Sequence, residues 1–276
     1  GGRTAVKSRL TASLFAAVLG LFHLTGFGQE PAGSVREVQV GAAQFQRGGV
    51  IPPWVEPLAS LPGSSDKTSP VVGLAADTQL HVPSHASYVH RAWQVNSSSS
   101  LADVGQQSIE FNPAYQRAQL HMLRIHRRGA VIDKLASAKV SFLQREQGLE
   151  QGVYSGLVYA SILVDDLRVG DALEIAYTTS GDNPVFGGRY AETASWDQGV
   201  PTELRRLTLL APAERQIAWR LVGARQGSSA MPQESLSGGL RRLRWEARAL
   251  PRMEVENDVP GDYLPFRFLQ FSEWGS

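Results

Sequence analysis

The stretch that decides the fold is residues 88–131, YVHRAWQVNSSSSLADVGQQSIEFNPAYQRAQLHMLRIHRRGAV. Apolar and polar residues alternate here with the period of two that is typical of β-strands, which predicts three strands joined by short turns. Asn112-Pro113 ends the second strand, because proline biases the preceding residue toward extended or turn geometry. Arg127-Arg128-Gly129 predicts a hairpin turn in which Gly129 takes a positive φ.

The longest of these three strands carries apolar residues on both faces. Counting by twos places Leu123 and Ile125 on one face and Leu120 on the other. A strand that is apolar on both faces is expected to be covered on both faces. The same count predicts that His121 and His126 lie on opposite faces.

The pattern of short strands and turns begins at Val71 and continues along the chain. The three strands above are predicted at 87–95, 107–111 and 117–127, and further strands at 139–144, 157–164, 172–179, 189–196, 203–210, 217–221 and 240–246. No helical pattern longer than one turn, near 113–117, follows Val71. The sequence therefore predicts an all-β domain at 71–249, an antiparallel β-sandwich-like domain of many short strands.

The N-terminal segment has the pattern of an export signal. Arg3, Lys7 and Arg9 precede the apolar run LTASLFAAVLGLFHLTG. Polar residues interrupt this run, so a signal peptide at 1–29 is favoured over a membrane anchor. The expectation is export to the periplasm or the outside of the cell, with cleavage between 25 and 32. Membrane contact is expected only through this segment, if it is retained.

Two regions of the chain are rich in structure-breaking residues. Residues 30–70 are punctuated by proline and glycine and are predicted to be a linker, in which Trp54 docks on the following domain. Residues 250–276 begin as a proline-broken acidic connector and end in the apolar run 266–274. That run is predicted either to be a last strand of the same sheet or to lead into a C-terminal domain that this sequence does not include.

Composition excludes several classes of function. The chain has 276 residues, a net charge of +1 and no cysteine. The absence of cysteine excludes disulfides, thiolate metal sites and cysteine nucleophiles. The near-zero net charge argues against a nucleic-acid partner. The arginines at 205–206 and 241–244 are predicted to form a solvated strand face rather than a phosphate groove.

Residues that could carry chemistry are few, and no cofactor is expected. A metal site made of two histidines on neighbouring strands is geometrically possible, but isolated surface or hydrogen-bonded histidines are favoured. Ser155 lies in GVYSG, which lacks the strand–elbow–helix context of a nucleophile. Asp165, Asp166 and Asp171 could bind a cation, but they are expected instead to cap the turn at 167–170.

Three aromatic residues surround a glycine-rich loop and form the candidate ligand-binding site: Phe186, Tyr190 and Trp196. Rings beside glycines can stack on sugars or peptides, so a cell-envelope peptide or glycan is the possible ligand. The alternative is that all three are ordinary core aromatics at alternating strand positions.

The order of these features resembles a known bacterial family. The segments IEFNPAYQRAQLHMLRIHRRG at 109–129 and LRVGDALEIAYTTSGDNPVFGGRY at 167–190 carry the resemblance. They share with the family a Phe-Asn-Pro corner, a long strand ending in basic-basic-Gly, and a Val-Gly-Asp turn followed by the aromatic Tyr177. The family is the uncharacterised all-β domain of unknown function that precedes transglutaminase-like, papain-fold domains in exported bacterial proteins.

The resemblance covers roughly 71–274, because MEVENDVPGDYLPFRFLQFSEW is similar to the connector that leads into the catalytic domain of those proteins. It implies that catalysis belongs to a following domain with Cys, His and Asp, so no catalytic residue is assigned to this chain. The expected function is a non-catalytic accessory domain whose partner is that C-terminal domain. The alternative is a stand-alone module that binds cell-envelope glycans or peptides.

Overall fold

The computed structural model describes residues 35–145, 156–223, 231–253 and 266–274. The predicted signal segment 1–29, Ser155 and most of the acidic connector lie outside the described residues. Within the described ranges, no helix is both long enough and apolar enough to cross a membrane.

The described residues fold into an all-β structure, which confirms the predicted fold class. The strands are β1 (Val35–Glu37), β2 (Phe45–Arg47), β3 (Val71–His81), β4 (Ala86–Val95), β5 (Gln106–Phe111), β6 (Arg117–Arg127), β7 (Ala130–Asp133), β8 (Lys139–Arg145), β9 (Val158–Leu163), β10 (Ala172–Ser180), β11 (Ala191–Ser195), β12 (Thr202–Pro212), β13 (Ala218–Val222), β14 (Gln233–Ser237), β15 (Leu240–Leu250) and β16 (Phe268–Ser272). Among the described residues, the α-helix α1 (Leu101–Gly105) precedes β5, whereas residues 113–115 form a turn.

The strands form three sheets. The main sheet has nine strands in the order β14-β15-β12-β3-β4-β10-β6-β2, with β7 paired to β6. Neighbouring strands of this sheet run antiparallel, except for the pairs β12–β3 and β2–β6, which are parallel. A four-stranded sheet has the order β1-β8-β9-β5, and a three-stranded sheet has the order β11-β16-β13. The run 266–274 therefore supplies β16, the middle strand of the three-stranded sheet.

One face of the main sheet holds the hydrophobic core. One row of cross-strand register partners runs along this face through β12, β3, β4, β10 and β6. Its members, in that strand order, are Leu207, Thr78, Val89, Tyr177 and Leu120. The half formed by β4, β10 and β6 packs on apolar residues of the four-stranded sheet. The half formed by β12 and β15 packs on the three-stranded sheet. The result is a two-layer sandwich in which two small sheets lie side by side on one large sheet.

A β-bulge in β6 changes which of its residues face the core. The register with β10 shifts between Ala176 and Tyr177, which pair with Met122 and Leu120, so His121 is the extra residue. Leu120 therefore joins Leu123 and Ile125 in the core. The prediction that Leu120 lies on the opposite face was wrong, because counting by twos assumes an unbroken ladder.

The opposite face of the main sheet is covered by residues 50–61, which we call the covering segment. Trp54 stacks on His81 with ring centroids 4.8 Å apart, which confirms that it docks on the domain. Val55 is buried against Tyr88 and Ala176. The region predicted to be a linker also contributes β1 and β2, each paired at the end of a sheet.

Two sequence features that carry the family resemblance contact each other. Arg127, at the hairpin, donates from Nε and Nη2 to the two carboxylate oxygens of Asp171, at 2.9 and 2.8 Å. Asp171 also accepts from the backbone N–H of Arg168 at 2.8 Å, so it caps the turn as predicted. Arg128 and Gly129 both have positive φ, 49° and 80°, which confirms the hairpin turn.

Candidate functional site

The covered face of the main sheet is polar where the core face is apolar. A second row of register partners lies on the covered face, across the same five strands β12, β3, β4, β10 and β6. Its members, in that strand order, are Arg206, Asp77, His90, Ala176 and Met122. Three of these five side chains can be charged, and all three are buried. Buried charges require partners, because desolvation is otherwise too costly. The contacts of this row therefore define the chemistry of the face.

Arg206 and Asp77 form a buried ion pair at one end of the row. Arg206 donates from Nε and Nη2 to the two oxygens of Asp77, both at 2.8 Å. Gln79 donates to Asp77 and to the backbone carbonyl of Glu56, and it accepts from the Glu56 N–H at 2.9 Å. The network therefore fixes the covering segment to the sheet through the backbone of Glu56.

The Glu56 side chain binds two further arginines at the edge of this network. It forms ion pairs with Arg242, at 3.1 Å, and with Arg244. The hydrogen bond from Arg244 outweighs partial burial and lowers the pKa of Glu56. Arg242 and Arg244 thus pair with a carboxylate from another part of the chain.

Arg205 points to the core face and is 1% exposed. Its guanidinium donates to the backbone carbonyls of Trp196, Ala76 and Ser195 and lies 5.4 Å from the centre of the Trp196 ring. Burial lowers its pKa to about 9, so it stays charged at neutral pH. The prediction of a solvated strand face was wrong for Arg205 and Arg206, since β12 lies in the interior of the main sheet.

Glu174 joins two histidines at the centre of the covered face. It is on β10, between β4 and β6, and its oxygens lie 2.7 Å from His90 Nε2 and 2.6 Å from His126 Nε2. His90 and Glu174 are buried, whereas His126 is partly exposed. Strand pairing brings these residues together from three separate segments. We call His90, Glu174 and His126 the His-Glu-His cluster.

The cluster holds an ionised carboxylate. Burial acts to raise the pKa of Glu174, but its hydrogen bonds and charge interactions with His90 and His126 outweigh burial and lower it. An ionised carboxylate can only accept, so each histidine donates from Nε2. In the part of the chain that the structure describes, no group of three or more acidic or histidine residues is arranged to hold a metal ion. The two histidines thus meet at a carboxylate.

His121 lies on the same face as His126, contrary to the sequence prediction. Its Nε2 lies 2.7 Å from Thr178 Oγ1, and its ring neighbours Tyr88 at 6.4 Å. The bulge at His121 is the cause, because the extra residue turns the side chain away from the core. Burial lowers its pKa, which favours the neutral ring.

A cleft of about 410 Å³ opens between the covering segment and the His-Glu-His cluster. The sheet contributes Tyr88, Met122 and Arg124 to its lining in addition to the cluster itself. The remaining lining residues come from the covering segment: Ile51, Pro57, Leu58, Ala59, Ser60 and Leu61. This volume is at the lower end of the range for small-molecule sites. The cleft is therefore the candidate functional site.

The three predicted ligand-binding aromatics lie elsewhere and do not form a common surface. Tyr190 and Trp196 are 4% and 3% exposed and pack in the core between the main sheet and the three-stranded sheet. Their rings are core aromatics and offer no open face to a ligand. Phe186 is partly exposed and packs edge-on against Trp274 at 5.5 Å. Ligand binding by Phe186 stays a prediction.

Sequence reasoning missed the cleft because its polar residues have no spacing signal. His90, His126 and Glu174 are up to 84 positions apart along the chain. A carboxylate on a strand flanked by two histidine-bearing strands becomes visible only when the order β4-β10-β6 is known. The available signal was weak: Glu174 is a lone acid inside the otherwise apolar segment ALEIAY.

Comparison with solved structures shows the fold in another protein. The chain is similar to a candidate protease from Parabacteroides distasonis ATCC 8503, with a TM-score of 0.63 and 16% sequence identity. The match covers 74% of this chain and 40% of that one, so the chain spans less than half the length of that protein. A second match, native yeast LTA4 hydrolase, has a TM-score of 0.31 and 10% identity over 76% of this chain and 32% of that one, which is too low to support an argument.

Comparison by sequence places the chain in a family. No curated protein matches it. The family model described as a domain of unknown function, DUF3857, matches residues 83–254, which include the whole β4–β10–β6 region and the sheet part of the cleft. The chain belongs to this family of domains of unknown function, DUF3857.

Proposed function

We propose that the chain is a non-catalytic accessory domain of an exported bacterial protein, and that it positions substrate for, or packs against, an adjoining transglutaminase-like catalytic domain. The observation that carries the proposal is the extent of the structural likeness. Most of this chain, 74%, corresponds to only 40% of a protein described as a candidate protease. A fold that occupies the smaller part of such a protein fits an accessory role.

The state of the polar side chains in the cleft supports a non-catalytic role. Both oxygens of Glu174 already accept hydrogen bonds from histidines. Burial, with the charges of Asp77 and Glu174, raises the pKa of the Tyr88 phenol, so this hydroxyl is a poor nucleophile near neutral pH. The side chains of the cleft are thus suited to hold a shape or a ligand.

An aromatic patch beside β16 supplies a surface for the adjoining domain. The patch consists of Val185, Phe186, Arg189 and Trp274. Val185 and Trp274 are 77% and 36% exposed, and the Arg189 guanidinium lies 5.8 Å from the Trp274 ring centre. Adjacent exposed aromatic and aliphatic side chains with an arginine are typical of protein interfaces. We therefore assign this patch to the contact with the catalytic domain.

The test uses the polypeptide encoded by the complete gene, with and without residues 71–246. Activity is measured as dansylcadaverine incorporation into dimethylcasein and as hydrolysis of casein. We expect the deletion to change the rate, the preference between these substrates or the thermal stability of the remainder. Unchanged activity, substrate preference and stability would reject the accessory role.

Point variants assign such an effect to the patch. The double substitution Phe186→Ala and Trp274→Ala should reproduce part of the effect of the deletion. Val131→Ser is the matched control, since Val131 is also an exposed apolar residue, 57% exposed, but lies on β7 beside β6. An equal effect of the control and the patch variants would reject the patch as the contact surface.

A further inference from the structure

Arg124 is a positively charged residue of the cleft that pairs with no other residue in the described part of the chain. It lies on β6 directly opposite Glu174 of β10 and lines the cleft. Among the described residues it has neither a hydrogen bond nor an ion pair, and its side chain is exposed. An arginine that lines a cleft with its donors unused is a binding group for a planar anion, because its fork of N–H groups matches a carboxylate.

The neighbouring carboxylate is already engaged by donors of the protein. Glu174 accepts one hydrogen bond on each oxygen, from His90 and from His126, at 2.7 and 2.6 Å. Both of its oxygens are therefore bound within the sheet. The hydrogen-bonding groups of Arg124 are all N–H donors, and they remain available to a ligand.

The other walls of the cleft are largely apolar and small. Ile51, Leu58 and Leu61 of the covering segment face Met122 of the sheet across a volume of about 410 Å³. Such walls favour an aliphatic group, since burying apolar surface is the main gain available there. The volume suits a ligand of one or a few residues rather than a folded protein.

We propose that the cleft binds a small organic carboxylate with an aliphatic side group, with the carboxylate on Arg124 and the side group against Ile51, Leu58 and Leu61. Two sources have this chemistry: a free N-blocked amino acid and the C-terminus of a peptide. The proposal goes beyond the accessory role, because it rests only on lining residues of this chain. It would therefore hold whether or not an adjoining domain exists.

The test is isothermal titration calorimetry on the chain with four probes. The probes are N-acetyl-L-leucine, N-acetyl-Ala-Ala-Leu and the C-terminal amide of each. We expect at least one acid to bind about tenfold or more tightly than its amide, because the amide cannot form a charge-assisted bidentate pair with Arg124. Tighter binding of the tripeptide identifies a peptide C-terminus as the source, and equal or tighter binding of N-acetyl-L-leucine identifies a free acid.

Variants tie the binding to Arg124. Arg124→Gln should abolish the preference for the acid, and Arg124→Lys should retain part of it, because lysine keeps the charge but not the fork. Arg128→Gln is the matched control: Arg128 is an exposed arginine of the adjoining hairpin turn, does not line the cleft, and should change affinity by less than about twofold. Circular dichroism checks that each variant is folded.

Three results would overturn the proposal. The first is no saturable binding of either acid up to about 10 mM, an affinity below that of ordinary small-ligand sites. The second is equal binding of acids and amides. The third is a preference for the acid that survives Arg124→Gln in a folded protein.

Discussion

Replacing Asp77 with alanine should leave the Arg206 guanidinium buried without its carboxylate. Asp77 is 0% exposed and accepts two hydrogen bonds of 2.8 Å from Arg206. Arg206 would keep its bond to the backbone carbonyl of Glu56, at 2.7 Å, and a longer ion pair with the exposed Glu56 carboxylate, at 3.8 Å, which replaces only part of the lost interaction. Removing one partner of a buried ion pair costs about 3–5 kcal/mol of the free energy of unfolding. This is a large part of the roughly 5–15 kcal/mol of a typical domain.

The assay is urea denaturation followed by circular dichroism, with thermal unfolding as a second measurement. For a chain of this size, a loss of 1 kcal/mol in the free energy of unfolding lowers the melting temperature by about 2–4 °C. We therefore expect Asp77→Ala to lower the melting temperature by about 6–20 °C. Asp165→Ala is the control. Asp165 pairs with Lys134 at 2.9 Å, its side chain is 81% exposed, and such surface pairs contribute little.

A double variant separates the ion pair from other effects of the substitution. Asp77→Leu combined with Arg206→Met removes both charges, and we expect it to be more stable than Asp77→Ala alone, because no buried charge is left unpaired. The reasoning is refuted if Asp77→Ala costs less than about 1 kcal/mol. It is also refuted if the double variant loses the sum of the two single losses, since a coupled pair is not additive.

Three further predictions concern turns and pH. Gly181→Ala should lower the free energy of unfolding, measured by urea denaturation, by about 3 kcal/mol or more, because φ at Gly181 is 140° and the new Cβ would lie 2.0 Å from a backbone oxygen. Gly188→Ala is the control and should lower it by only about 1 kcal/mol, because no atom lies within contact distance of the new Cβ. Arg128→Asn should raise the free energy of unfolding by about 0.5 kcal/mol, measured in the same way, because asparagine tolerates positive φ better than arginine. The hydrogen bond from Arg215 lowers the pKa of Glu273 to about 2, below its unfolded value of about 4.3, so its stabilisation is present above pH 4.3 and is lost as the pH falls toward 2. Thermal unfolding between pH 5 and 2 should therefore show a smaller loss of stability for Glu273→Gln than for the unchanged protein, and equal slopes would contradict this assignment.

Alternation of apolar residues predicted strands such as β4, β6, β10 and β12, but not β1, β2 or β14. The segment 117–127 was expected as one strand and forms β6 with the same bounds. Its turn was also predictable, because Arg127-Arg128-Gly129 has local chemistry that favours a hairpin. Local patterns thus determined the local structure of this region.

The relations between strands could not be predicted from local patterns. The bulge at His121 arises from pairing with β10, and it reversed the predicted facing of Leu120. Arg206 has the sequence neighbours of a surface residue, and its burial depends on Asp77, which is 129 positions away. The His-Glu-His cluster was missed for the same reason: its members become neighbours only through the order of strands in the main sheet.

The covering segment shows how composition can mislead. Proline and glycine between 30 and 70 predicted an irregular region, and most of its described part, 35–70, is irregular. An irregular backbone can still be fixed, here by the stacking of Trp54 on His81 and by the bonds of Gln79 with the Glu56 backbone. Trp54 was the sequence signal for this docking. The cleft beneath the segment had no such signal.

The most direct test of the proposed accessory role is a crystal structure of the polypeptide encoded by the complete gene. We predict a second domain whose surface buries Phe186 and Trp274, which are partly exposed in this chain. We further predict that the second domain carries the catalytic Cys, His and Asp. A structure in which the aromatic patch remains in solvent, or in which no catalytic domain is present, would contradict the account.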